Sequence, residues 1–160
     1  MSSFTRLALT SHTQLDVSGE FEAIAPDTET TPWTLDIRDI GDLPVSRKTV
    51  RPALPVMFPV FFEAGSGTEV PSATAGAGNI TQTQVFLCLV ESPRRFQDLS
   101  YIGPKTIDVR DAYLIAMATS PDLFGRLSNW ATVAVELGIL EWGEQEWSGF
   151  VARHTWQTLL

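Results

Sequence analysis

The chain has 160 residues, 44% of them hydrophobic, which suffices for one substantial core and falls short of two complete domains, so residues 1–160 are read as a single domain. Nineteen acidic against 11 basic residues give a formal net charge of -8, which argues against a protein that grips phosphate backbones and favours one that stays soluble or lets an anion slide past. The one cysteine, Cys88, excludes an internal disulfide, and its place in the apolar run Val85-Phe86-Leu87-Cys88-Leu89-Val90 predicts a small buried hydrophobe and not a nucleophile.

Residues 1–32 read as an arm or irregular lead-in to a core spanning 33–160. Phe4, Leu7, Leu15, Val17, Phe21 and Ile24 are spaced apolar positions, but Ser, Thr, Gly19 and Pro26 interrupt both helical and strand periodicity, leaving at most a short strand near 14–21. The apolar patch Leu7-Ala8-Leu9 is too short for the core of a secretion signal, which leaves the glycosylation pattern Asn79-Ile80-Thr81 without a compartment in which to act. The longest uninterrupted apolar run, 112–118, is far below the roughly 18 residues that a membrane-spanning helix requires, so no membrane partner is expected.

A strand opens at Trp33, with Leu35 and Ile37 on its apolar face and Asp36 and Arg38 on the other, and breaks at Gly41 and Pro44. The chain turns apolar again at Leu54-Pro55-Val56-Met57-Phe58-Pro59-Val60-Phe61-Phe62. Three prolines in eight residues (Pro52, Pro55, Pro59) exclude a helix and predict an extended segment at a sheet edge or outside a sheet, covered by the rest of the fold or by another subunit. Residues 63–79, rich in Gly, Ala and Ser, read as a long flexible loop, and 80–91 as the clearest strand. Ser92-Pro93-Arg94-Arg95 closes that strand, and 98–103 is expected to form a turn. A principal helix is predicted to start at Pro104 and to run through 107–118, with Ile107, Leu114 and Met117, together with Ala112, Tyr113, Ile115, Ala116 and Ala118, in a mostly buried face and Asp108, Arg110 and Asp111 on the wet side. The last third reads as a β-hairpin whose turn lies between Trp142 and Trp147, with Val133, Val135, Leu137 and Ile139 on one face going out and Phe150, Ala152, His154 and Trp156 on one face returning.

No motif supplies chemistry above background. His12 and His154 are distant in sequence and no H-x-x-H or C-x-x-C spacing exists, so no metal site and no cofactor are expected. Asp36, Asp39 and Asp42 lack the spacing of a calcium loop. Gly65-Ser66-Gly67 and Gly76-Ala77-Gly78 lack the lysine and the following helix of a phosphate cradle. Ser11 beside His12 is the nearest serine–histidine pair, without a nucleophile elbow; Glu141, Glu144 and Glu146 read as a solvated hairpin tip; His154 reads as packed or at an interface. Arg47, Lys48 and Arg51 form the densest basic cluster and Arg94-Arg95 a second. Either could touch DNA phosphates, yet without stacking aromatics ion pairing is the simpler account.

The elements in this order resemble the tail terminator proteins of long-tailed bacteriophages, which close the end of the tail tube facing the head. The likeness is carried by Ile37-Arg38-Asp39-Ile40-Gly41-Asp42-Leu43-Pro44 with Leu54-Pro55-Val56-Met57-Phe58-Pro59, by the strand at 83–90, by the helix near 104–119, and by Trp147-Ser148-Gly149-Phe150-Val151-Ala152 in the closing hairpin. Members commonly begin with an amphipathic helix, which residues 1–32 here do not suggest. The resemblance implies a structural virion protein of the phage tail, without enzymatic activity. It would sit in a homo-oligomeric ring, a hexamer in that family, contacting neck and tail-tube proteins while DNA passes the lumen without sequence-specific binding. Another connector or tube ring subunit, or a small ligand-binding domain or enzyme, stays open as an alternative. The expected fold is α+β: a mainly antiparallel β-sheet packed with one principal helix, a C-terminal β-hairpin and the long loop. The expected subunit interface comprises Leu54, Val56, Met57, Phe58, Phe61, Gly65, Gly67, Gly76, Gly78, Trp142 and Trp147.

Overall fold

The structure is a computed structural model that describes residues 4–15, 17, 20, 35–38, 54–60, 67–69, 79–92 and 99–159. Its elements in chain order are α1 (Phe4–Thr13), β1 (Asp36–Ile37), β2 (Val56–Val60), β3 (Gly67–Glu69), β4 (Asn79–Glu91), α2 (Leu99–Thr119), β5 (Thr132–Trp142) and β6 (Gln145–Leu159). Six strands form one mixed sheet in the order β1-β2-β4-β6-β5, with β3 beside β2 along the same edge of β4. All pairings are antiparallel except β1 with β2. The domain is α+β, as the sequence pattern predicts.

The long strands β4 and β6 meet over almost their whole length, from Asn79 opposite Leu159 to Glu91 opposite Ser148, with one register shift between Leu89 and Glu91. Their even-numbered side chains, Phe86, Cys88, Phe150, Ala152 and Trp156, join Met57 of β2 on one face, and both helices pack there. Helix α1 contributes Ala8 and Leu9, and α2 contributes Val109, Ala112, Tyr113, Ala116 and Met117. The other face carries a smaller cluster of Val56, Phe58, Val60, Leu87, Leu89 and Trp147. Alternation along a strand sorts these two sets without exception.

Five sequence expectations are corrected. The lead-in is helical at α1. Ser11 and Thr13 turn their hydroxyls back onto the Leu7 and Thr10 carbonyls, at 2.9 and 2.7 Å, so polar side chains that obscure the helical period are accommodated within the helix. Helix α2 starts at Leu99, five residues before Pro104, where a turn was expected. Buried Ile102, whose carbonyl accepts from the Thr106 hydroxyl at 2.8 Å, anchors that extra turn. The buried stripe of α2 runs through Ile102, Val109, Ala112, Tyr113, Ala116 and Met117, leaving Ile107 and Ile115 exposed and Asp108, Arg110 and Asp111 half-buried. Within the expected loop at 63–79, Gly67–Glu69 is a strand and Asn79 begins β4.

The fifth correction concerns β2, which is not an edge strand but lies between β1 and β4. The Asp36 amide donates to the Pro55 carbonyl at 3.1 Å and the Arg38 amide to the Met57 carbonyl at 2.9 Å, so odd-numbered residues of β2 face β1 and even-numbered ones face β4. Pro55 and Pro59 therefore turn their missing donors toward β1, which is only two residues long and ends before Pro59. Proline is tolerated here because of that direction and not because the strand lacks neighbours.

Gly149 sits at a close backbone approach between β4 and β6, opposite Leu89 of β4 and Gly138 of β5. A Cβ at this position would run into the Cys88 carbonyl, which cannot move without breaking the ladder. Gly149→Ala is expected to destabilise the fold by about 2–3 kcal/mol, measured by chemical denaturation. An unchanged midpoint would show that β4 and β6 lie farther apart than this register allows.

Candidate functional site: an open sheet edge and an exposed aromatic loop

Four of the described residues expected at a subunit interface lie inside the fold. Val56, Met57 and Phe58 are fully buried, Met57 with 0% exposure, and Trp147 is buried while Leu54 and Trp142 are half-buried. Five of them converge on the second face of the sheet: Leu54, Val56, Phe58, Trp142 and Trp147 share one cluster. The Phe58 and Trp142 rings are tilted at 4.6 Å, and the Trp147 indole N–H donates to the Trp142 carbonyl at 2.9 Å, bracing the hairpin as the bracketing tryptophans suggest. The chain itself thus covers these side chains, and their apolar character does not call for a second subunit. Gly67 lies in β3, opposite Thr83. Phe61, Gly65, Gly76, Gly78, Arg47, Lys48, Arg51, Arg94 and Arg95 lie outside the described residues.

Exposed large apolar side chains lie elsewhere: Leu7, Ile107 and Ile115 on the helices, and Phe124, Trp130, Leu137 and Ile139 on and beside β5. This 11-residue strand pairs with β6 on one side, and no described strand pairs with its other side. The hairpin turn Gly143-Glu144 has both residues at φ 63°, the two-residue geometry that makes Trp142 and Gln145 a hydrogen-bonded pair. Amides of Val133, Val135, Leu137, Ile139 and Glu141 consequently point to the open side. Leu137 and Ile139, on the face where the helices pack, extend past the helical cover and are 43% and 54% exposed. A long edge strand without proline, lysine or a bulge, and with such side chains beside it, is a template for pairing with another strand.

The loop leading into β5 is rigidly built and holds two aromatics in solvent. Leu123, Phe124 and Gly125 have consecutive positive φ values of 48°, 61° and 74°, a left-handed run that costs roughly 1–3 kcal/mol at each non-glycine. Burial of the Leu123 side chain offsets part of this cost. Bonds from the Ser128 amide to the Gln157 carbonyl at 2.8 Å and from the Ala131 amide to the Pro121 carbonyl at 2.9 Å tie the loop to β6 and to itself. Phe124 and Trp130 project from this frame at 54% and 72% exposure. Trp130 has no signal in the sequence that marks it as a surface anchor. A single aromatic in an aperiodic turn carries no pattern, and exposure is decided by where the loop is anchored.

The histidines do not offer surface chemistry. His12 and His154 are fully buried on either side of Tyr113, and burial lowers both below the usual range, His12 to about 3 and His154, beside His12, well below its ordinary value. Burial likewise raises the Cys88 thiol, which keeps it neutral. Glu141, Glu144 and Glu146 sit exposed at the hairpin tip. Among the described residues no group of three or more His, Cys, Asp or Glu is placed to hold a metal ion, and no helix is long and apolar enough to cross a membrane. No protein-family model matches the chain, and no curated protein matches it.

Proposed function

We propose that the chain is a structural virion protein, a ring subunit at the head-proximal end of a long phage tail that joins the tail tube to the neck. The observation that carries this reading is the β5 edge, which no described strand covers, with Leu137 and Ile139 exposed on it and Phe124 and Trp130 exposed in the loop that leads into it. Such a surface serves assembly, where energy is concentrated in a few large apolar anchors. Two further features support it. The helix α1 is an amphipathic first helix of the kind with which tail terminators commonly begin, and one that the sequence pattern hides. The net charge of -8 suits a ring through which DNA passes, because a strongly basic lining would hold the phosphates.

The test is native mass spectrometry of the purified protein, together with copy counting in assembled particles. The parent is expected in a ring, with six copies implied by the resemblance. A Trp130→Ala/Ile139→Asp double variant is expected to drop out of the ring while its unfolding midpoint shifts little, since both side chains face solvent. A parent that is monomeric in solution and missing from particles, or a double variant that assembles normally, overturns the reading.

A further inference from the structure

Three polar rings are sealed into the apolar core between α1, α2 and β6. His12 Nε2 lies 2.8 Å from the Tyr113 hydroxyl, which is also hydrogen-bonded to His154 Nε2. All three side chains are 0% exposed. The His12 ring stacks on Phe86 of β4 at 4.2 Å and meets the His154 ring edge-on at 5.1 Å, with Trp156 of β6 beside both. A neutral phenol has one proton to give. One imidazole therefore accepts from it and carries its own proton on Nδ1, whereas the other donates Nε2–H to the phenol oxygen and has a bare Nδ1. Both Nδ1 atoms are buried without a hydrogen-bond partner. One orphan is thus a donor and the other an acceptor, each held at a cost.

We propose that His12, Tyr113 and His154 form an acid-released latch that holds α1 on the sheet, so that taking up a proton frees α1 while β4, β5 and β6 stay paired. The bare Nδ1 is the place where a proton goes. The resulting imidazolium would have a new N–H with no acceptor among the described residues, in a fully buried site where no described anion balances it. The titratable groups that face the two imidazoles are each other, Tyr113 from α2 and, next to Tyr113, Cys88 from β4. No charged side chain of α1, α2, β4 or β6 bonds either ring. The ten-residue α1 is the element that gives way, being too short to be stable alone and held by few buried residues, whereas β6 is paired on both sides.

The sign follows from linkage. His12 has a folded value of about 3 against an ordinary 6.5, so the released state binds more protons, and the held state loses ground as pH falls from 6.5 toward 3. His154 is shifted in the same direction. The experiment is hydrogen exchange on the full chain at pH 7.0 and 4.5, expressed as protection factors so that the pH dependence of intrinsic exchange cancels. Protection of α1 is expected to fall about a hundredfold from His12 alone, with β4 and β6 changing little. His12→Asn keeps a polar planar side chain that cannot take up the proton, and should flatten the response by about that factor. Unchanged α1 protection, loss of α1 and the sheet together, or a full acid response in His12→Asn overturns the proposal. The test reads the isolated domain and is independent of whether it joins a ring.

Discussion

Met57→Asp is expected to abolish the folded state outright. Met57 is fully buried in β2, opposite Cys88, within the main cluster under the two helices. The substitution removes a large packed side chain, worth about 2–5 kcal/mol in comparable cores, and inserts a carboxyl group with no designed partner, which adds a further few kcal/mol. The sum approaches the whole stability of a domain, about 5–15 kcal/mol. Soluble expression and denaturant unfolding provide the measurement, with Leu137→Asp as the exposed control expected to fold normally. The sequence alone makes Met57→Asp a probe of assembly. The structure makes it a probe of folding, and a Met57→Asp protein with a parental midpoint would mean that β2 is not in this register.

Lys105→Met should be the next most damaging change. The Lys105 ammonium lies 3.4 Å from Glu91 Oε2 with side chains only 11% and 5% exposed, and it passes 5.8 Å from the Tyr101 ring. Glu91 sits at the register shift of β4, where its other oxygen accepts from the Ser92 amide and its carbonyl from the Ser148 hydroxyl. The ion pair therefore fastens α2 to the strand end. Removing the ammonium takes from this buried carboxylate its described countercharge, at an expected cost of about 3–5 kcal/mol. Adding Glu91→Gln should recover most of that loss, because an amide needs no countercharge. If the single variant unfolds within about 1 kcal/mol of the parent, the pair is solvated in solution and the tether is not real.

What could be read from the sequence follows from how locally each element is determined. Strand β4 is legible as a run that is polar on both faces at its start and apolar on both at its end, the hairpin because its side chains alternate, and Cys88 as buried from its apolar neighbours. Helix α1 is hidden because Thr5, Thr10, Ser11 and Thr13 blur its period, while its stability comes from docking Ala8, Leu9 and His12 on strands far along the chain. The same distance hides the latch: His12 and His154 look like two unrelated residues until the helix is laid on β6. The proline rule misplaces β2 for a subtler reason, since composition reveals a missing donor but not the side toward which it points. Trp142 and Trp147 are read correctly as partners, yet sequence cannot tell a brace inside the sheet from an anchor on its surface.

The position of β6 has a consequence for how the molecule comes into being. It is the last of the described strands in chain order, yet it occupies the middle of the sheet, between β4 and β5. A ribosome delivers α1, β1, β2 and β4 long before the strand that unites them, and β5 emerges with its only described partner still unmade. The nascent chain must therefore carry two long apolar strand edges unsatisfied until residues 145–159 clear the exit tunnel, after which both pairings can zip from the tight turn at Gly143-Glu144. Translation sets the order in which parts become available, and in this topology the keystone arrives last.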